Sequence, residues 1–401
     1  MGWKGVTVMD QRIRFLSDYL EGLYPFTELC EHFGISRKTG YKWVGRYREF
    51  GAEGLEERSR RPLSCPHQTD DEVVKAIEKA RNKHPSWGPK KLLWLVGKRH
   101  PDWTLPAIST TADILKRKGL IAPKPRRLRR QHPGCPKTTC QAPNEIWTAD
   151  YKGHFKMLNG RYCYPLTVCD MHSRFLLGCS AHPAISLEGS QATFTRLFKT
   201  YGLPGRIRTD NGVPFASSAI ARLSALSVWW IKLGVYPEQI EPGKPQQNGK
   251  HERMHRTLKK EATIPPERHL TAQQKRLTAF REEYNQERPH ESLGMKTPAE
   301  VYEPSKRAMP DKIESYDYPQ HFEVRKVSRN GGIRWHHHRV PVSQTLIEDY
   351  IGFEEIDDGV YNVFFRELLI GRFFEELGII KDVIKRVPMR HQNSRECHPC
   401  T

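Results

Sequence analysis

The stretch that most constrains this chain runs over residues 206–261. It opens Arg206-Ile207-Arg208-Thr209-Asp210-Asn211-Gly212, a short strand whose apolar residue is Ile207, followed by the turn signal Asp210-Asn211-Gly212. It closes Pro245-Gln246-Gln247-Asn248-Gly249-Lys250-His251-Glu252-Arg253, a loop entering a helix. Pro245 and Gly249 break any earlier pattern, and residues 251–262 are rich in helix formers. Upstream, Ile146-Trp147-Thr148-Ala149-Asp150-Tyr151 begins a run of strand-like segments. Three carboxylates, Asp150, Asp210 and Glu252, thus fall on three separate elements.

Around them the spacing predicts strands over 146–156, 162–170, 175–181, 206–210 and 235–240, with helices over 187–201 and 217–233. Strands first, then helices alternating with strands, fit a mixed α/β domain. With Thr209-Asp210-Asn211-Gly212, Pro245-Gln246-Gln247-Asn248-Gly249 and Glu252 in this order, the pattern resembles the catalytic core of integrase-type insertion-sequence transposases. That family carries an Asp-Asp-Glu triad on a ribonuclease H-like fold. The resemblance implies metal-dependent DNA end cleavage and strand transfer, with Asp150, Asp210 and Glu252 as catalytic residues and metal ligands. It implies two ions per site, Mg²⁺ with Mn²⁺ able to substitute. In-line displacement at phosphorus gives a reason for such ligands, since paired divalent cations stabilise the attacking and leaving oxygens together. Asn211, Gln247, Asn248 and His251 are expected to approach DNA, with Gln247 and Asn248 also shaping the loop before Glu252. His251 could instead assist a metal-bound water or belong to an ordinary charged helix face. Asp210 and Glu252 lie 42 positions apart (252 − 210), a longer spacing than is commonest in the family, and the excess falls in 217–234.

A chain of 401 residues exceeds one ordinary core, and its 65 Lys+Arg against 46 Asp+Glu, a net +19, favour a polyanionic partner. The basic residues are spread over several segments, which points to double-stranded DNA rather than a membrane surface. No run approaches the roughly 18 apolar residues of a membrane helix, and residues 1–10 show no secretory pattern. A cytoplasmic, nucleoid-associated protein, working as a homo-oligomer on DNA, is expected. Nine cysteines, an odd number, argue against a disulfide framework.

Residues 11–21, 26–33 and 37–50 read as three helices, with Ile13, Leu16 and Leu20 on the first core face and Tyr41, Val44 and Tyr47 or Arg48 on the third. Gly34-Ile35-Ser36 is the tight turn between the last two, with Ser36 as N-cap. This is a helix-turn-helix over 1–58, and Arg37, Lys38, Thr39 and Lys42 are expected to face the major groove. A basic Pro-broken linker over 59–69 leads to a second helix-turn-helix-like domain, 70–121. There Ser109 is the expected cap, Ala112, Leu115 and Leu120 pack, and Lys116, Arg117 and Lys118 stay wet. In 122–143 five prolines forbid a continuous helix, while Arg126, Arg127, Arg129 and Arg130 could track phosphates or simply accompany a spacer.

The α/β core is expected over 144–304. From 313 to 385, short β-prone runs separated by Asn330-Gly331-Gly332 and Asp357-Asp358-Gly359 suggest a small antiparallel barrel. Residues 386–401 read as a disordered tail. The resulting fold class is multidomain: all-α helix-turn-helix modules, a ribonuclease H-like α/β catalytic core with a mixed sheet, and a small C-terminal β-barrel. Cys135, Cys140, Cys397 and Cys400 lie too far apart in sequence to read as a zinc site. Cys163, Cys169 and Cys179 read as buried apolar fillers, and Trp229-Trp230 as core.

Overall fold

A computed structural model describes residues 7–57, 59, 68–121, 139–241 and 245–383. The basic residues Arg126, Arg127, Arg129 and Arg130, the tail and Cys135, Cys397 and Cys400 lie outside the described residues. Two compact units divide the chain at residue 68.

In the first unit, α1 (Val8–Glu21) starts at a capping box between Thr7 and Asp10, α2 spans Phe26–His32, and α3 spans Arg37–Phe50. Ser36 caps α3 by accepting from the Thr39 amide, and Gly34 takes the left-handed φ of +63° that the turn requires. The core is Phe15, Leu16, Leu29, Cys30, Trp43, Val44 and Leu55. Ile13, Leu20 and Tyr41, expected inside, are exposed at 50%, 62% and 62%. The aromatic residues decide the faces. Phe15 and Tyr19 turn α1 inward along 12-15-16-19, and Gly40 lets α3 approach α2 so closely that a Cβ there would meet Cys30 Sγ at 2.7 Å. The α3 contact line therefore runs through 40, 43 and 44.

The second unit opens with α4 (Asp71–Lys83), α5 (Pro89–Arg99) and α6 (Ile108–Arg117), packed around Ile77, Trp87, Leu92, Val96 and Leu115. Pro89 sits in the first turn of α5, where its missing N–H costs nothing. Ser109 lies inside α6 rather than capping it. Ala107 is the N-cap residue, and buried Thr111 returns its hydroxyl to the Ala107 carbonyl.

Next come β1 (Ile146–Tyr151), β2 (Phe155–Lys156), β3 (Tyr162–Asp170), β4 (Leu176–His182), α7 (Leu187–Tyr201), β5 (Arg206–Thr209), α8 (Ala225–Lys232), β6 (Tyr236–Gln239), α9 (Gly249–Ala262) and α10 (Leu270–Gln286). The sheet is mixed. β3 pairs antiparallel with β1, β2 and β4, while β5 runs parallel to both β1 and β6. Alternation along β1 gives the sheet two faces. Trp147 and Ala149 face a core with Phe194, Phe198 and Trp230 of α7 and α8. Thr148 and Asp150 face α9, which packs with α10 through Met254, Leu258, Leu277 and Phe280 onto Cys169, Leu176 and Cys179. The result is a mixed α/β domain with helices on both faces of the sheet, as the element order led one to expect. The single helix expected over 217–233 is interrupted: Ala221 and Arg222 take φ of +51° and +53°, and Ser224 starts α8 with its own capping box.

Residues beyond 304 strap back over the core, where the Arg307 guanidinium donates to the carbonyls of Pro204 (2.8 Å) and Gly234 (2.7 Å). The chain then forms β7 (Glu323–Lys326), β8 (Gly332–Trp335), β9 (His338–Pro341), β10 (Tyr350–Asp357), β11 (Val360–Phe365), β12 (Leu368–Phe374) and β13 (Ile379–Asp382). Among the described residues the strands expected to make a small antiparallel barrel do not close into one. Five strands make an open sheet in the order β13-β12-β11-β10-β7, and β8-β9 is a separate hairpin. Side chains cover the open side instead, with Trp335 of the hairpin packing on Phe353, Tyr361 and Phe373. Ile220, Leu223, Val228 and Ile231 of the α/β domain complete this second core.

Candidate active site

Asp150 is carried by β1, Asp210 follows the last residue of β5, and Glu252 lies in the first turn of α9. Adjacent parallel strands place the first two side by side at the same sheet end. Burial pushes the Asp150 carboxyl up to about 7, and the charges of Asp210 and Glu252 add to the rise against the opposing Lys152 ammonium. The charges of the other two acids therefore reach Asp150. Their crowding is relieved by a proton or a cation, and carboxylate oxygens are the hard donors that Mg²⁺ or Mn²⁺ takes. The donor set fits a divalent cation. Gly212 donates its amide to Asp210 Oδ1 at 3.2 Å, fixing the turn that presents this acid.

Beneath the acids lies a polar layer. Thr148 Oγ1 meets His251 Nδ1 at 2.7 Å, and Thr167 Oγ1 meets both His251 Nε2 and His255 Nε2 at 2.7 Å. His255 Nδ1 points to Asp150 Oδ2 at 3.6 Å. Among the described residues, Asp150, His251 and His255 form the one group of acids, histidines or cysteines whose ligand atoms all lie within 4.8 Å of one another. Burial pulls the two imidazoles down to about 3 and about 2, so both are neutral. His251 is 2% exposed, which corrects its assignment as a DNA contact: both ring nitrogens are engaged by threonines. Thr148, Thr167 and His255 escaped the sequence reading. The signal available was weak: polar residues at inward positions of two apolar strands, and histidines at i and i+4 flanking Glu252.

A buried cation ties the second and third acids together. Arg208 on β5, 1% exposed, pairs with Glu238 on β6 at 2.7 Å and reaches the Gln247 carbonyl at 3.4 Å. The loop entering α9 is thereby fastened to the strand that delivers Asp210. Gln247 and Asn248 are 8% and 6% exposed. The Gln247 amide bonds the Glu241 amide and carboxylate, so this side chain shapes the loop and does not reach outward. Asn211 is exposed, but its amide donates to Ile240 O (2.9 Å) and its oxygen accepts from Arg222 (3.3 Å). On α3, Arg37, Lys38 and Lys42 are exposed, with the Lys42 ammonium 4.3 Å from the Trp43 ring centre. Thr39 is half-buried and its hydroxyl bonds Ser36 Oγ at 3.0 Å, so it serves the cap.

Integrase core domain families match residues 141–245 and 233–298. A helix-turn-helix domain family matches 11–62 and a homeodomain-like family matches 39–131. Similar curated proteins include the insertion element IS407 uncharacterized 31.7 kDa protein of Burkholderia multivorans, 30% identical over 166 residues, covering 40% of this chain and 55% of that protein. The insertion element IS476 uncharacterized 39.2 kDa protein of Xanthomonas euvesicatoria is 30% identical over 159 residues, covering 39% and 44%. The chain spans about half the length of these relatives. A similar solved structure is the HTLV-2 integrase catalytic core domain in complex with magnesium, 17% identical, TM-score 0.32, covering 40% of this chain and 98% of that one. No helix among the described residues is long and apolar enough to cross a membrane. Integrase core and helix-turn-helix domain families thus match separate parts of this chain, and the curated proteins named above as similar to it come from insertion elements.

Proposed function

We propose that the chain is the transposase of an insertion sequence, a polynucleotidyl transferase. It binds the element's terminal inverted repeats, hydrolyses a phosphodiester at the element's end, and directs the freed 3′-hydroxyl to a phosphodiester of target DNA. The observation that supports the reading is the Asp150 carboxyl on β1, raised by burial and by the charges of Asp210 and Glu252. A divalent cation held by these carboxylates, Mg²⁺ or Mn²⁺ with two ions per site, would supply charge stabilisation at phosphorus. The protein's own groups do the positioning. β1 and β5 hold two acids rigidly, and Arg208 sets the entry of the third. Arg37, Lys38 and Lys42 on α3 supply DNA contact, and Arg126, Arg127, Arg129 and Arg130 add phosphate contact between domains. The protein acts as a homo-oligomer on DNA in the nucleoid.

Asp150→Asn, Asp210→Asn and Glu252→Gln keep side-chain size while removing one charge each. Each is expected to lower cleavage and joining about 10²-fold or more while end binding persists. The test pairs a cleavage and strand-transfer assay in Mg²⁺ or Mn²⁺ with a gel shift on the same preparation. Near-normal joining by all three variants would sink the reading. Cleavage without joining by the unaltered chain would make it a nuclease, and binding alone would make it a regulator descended from a transposase.

A further inference from the structure

The polar layer under the acids can be counted proton by proton. Thr167 Oγ1 has one hydrogen and three close partners: Asp150 O at 3.0 Å, His251 Nε2 and His255 Nε2. A carbonyl oxygen can only accept, so the Thr167 hydroxyl donates to Asp150 O and accepts from both rings. Both Nε2 atoms then carry the hydrogen of a neutral imidazole. His251 Nδ1 is left as an acceptor and receives the Thr148 hydroxyl at 2.7 Å, closer than the Cys169 carbonyl at 3.3 Å from the same oxygen. His251 is satisfied at both nitrogens. His255 is not: its Nδ1 keeps a lone pair, aimed at the carboxylate oxygen Asp150 Oδ2 across 3.6 Å. That gap is beyond hydrogen-bond length, and once Asp150 is ionised two electron-rich atoms face each other over it. His255 is 6% exposed, so bulk water does not separate them.

We propose that His255 Nδ1 is a nitrogen donor to the cation held on Asp150, and that His251 is not a ligand but the post that fixes the Thr167 hydroxyl and, through it, the tautomer of His255. Metal–ligand bonds of about 2.0–2.2 Å on each side span such a gap. A carboxylate site with one imidazole leans away from Mg²⁺ toward cations that accept nitrogen, Mn²⁺ among them. The inference rests on Asp150 holding a cation, as proposed above, and names the ligand that sets which cation it holds.

The probe is Mn²⁺ added to the full chain, read by pulsed electron paramagnetic resonance, which detects ¹⁴N of a coordinated imidazole directly and needs no activity. Unaltered protein is expected to show the ¹⁴N coupling. His255→Gln places an amide near the Nε2 position, where it can still reach Thr167, but removes Nδ1. It is expected to lose the coupling and to weaken Mn²⁺ binding about tenfold or more, with a smaller change for Mg²⁺. His251→Gln is expected to keep the coupling. Mn²⁺ bound at a site abolished by Asp150→Asn, yet without ¹⁴N coupling in the unaltered chain, overturns the role of His255 and leaves the acid site standing. Mn²⁺ binding untouched by Asp150→Asn overturns the acid site and this inference with it. Because the unaltered spectrum is decisive alone, a variant that fails to fold does not rescue the idea.

Discussion

The two helical modules share a sequence style and use their charge in opposite ways. The first builds its core from its own three helices and leaves Arg37 and Lys38 on the exposed side of α3. The second is fastened to the α/β domain. Lys83 pairs with Glu287 (2.8 Å), Lys90 with Glu291 (3.3 Å) and Lys98 with Glu300 (3.3 Å). His84, buried and stacked on Trp87 at 4.0 Å, meets Glu283 at 2.8 Å. Lys91 is drawn into the same seam, where burial and the nearby Arg288 pull its ammonium down to about 8. A basic helix is thus no guide to what its charge meets. In one module the cations remain available to a polyanion, and in the other glutamates already answer them.

The comparison breaks or sharpens at measurable points. Replacing Arg37, Lys38 and Lys42 by Ala is expected to weaken binding of an element end about a hundredfold at physiological salt, since each phosphate contact contributes about 0.9 to the log–log salt slope. Anisotropy titrations at several salt concentrations read both quantities, and an unchanged slope would remove the contrast. His84→Ala is expected to lower the stability of the second unit by about 2 kcal/mol, through loss of a hydrogen bond to a carboxylate and of the ring stack. Denaturant unfolding checks this, and DNA affinity should stay put.

Acid reports the same contact from the other side. The His84 hydrogen bond holds the Glu283 carboxyl below its usual range. A depressed acid stabilises the fold above the ordinary glutamate value, and that contribution is lost as pH falls through the lower folded value. Tm measured down the acid limb should therefore fall less steeply in His84→Ala than in the unaltered protein. Lys83, Lys90 and Lys98 changed together to Ala should do least, each exposed pair contributing under about 1 kcal/mol. Faster proteolysis between α6 and β1 is the expected sign, and a large drop in DNA affinity would instead place these lysines on the nucleic acid.

Much of the element order was legible. Residues 162–170 and 187–201 alternate or repeat so regularly that strand and helix bounds agree with β3 and α7. What was not legible depends on contacts between distant segments. Leu223, Leu226, Trp230 and Leu233 keep helical spacing through 217–233, but the left-handed Ala221 and Arg222 divide it, and nothing in their side chains announces that. The acid motifs brought attention to Asp150, Asp210 and Glu252. The threonine–histidine layer under them did not appear, because it joins β1, β3 and α9 across residues 148, 167, 251 and 255. His251 looked outward because it neighbours Glu252, yet one step around a helix is enough to turn a side chain inward.

The long stretch between the second and third acids has a bearing on what can be inherited separately. Ile220, Leu223, Val228 and Ile231 lie in it, and they are the seat of the C-terminal sheet. Around that seat the Ala221 amide donates to the Asp382 carboxylate at 3.2 Å, Lys232 pairs with Asp349 at 2.6 Å, and Arg366 reaches the Lys232 carbonyl at 2.8 Å. Both ends of the stretch are pinned, by β5 before it and by Arg208 holding the Gln247 carbonyl after it, so residues gained in between leave the acids where they were. A descendant that trimmed this stretch would keep the placement of its three acids but remove the seat of its C-terminal sheet. One that lost the sheet would expose these four aliphatic side chains. The stretch between the second and third acids and the C-terminal sheet form one packing unit in this chain.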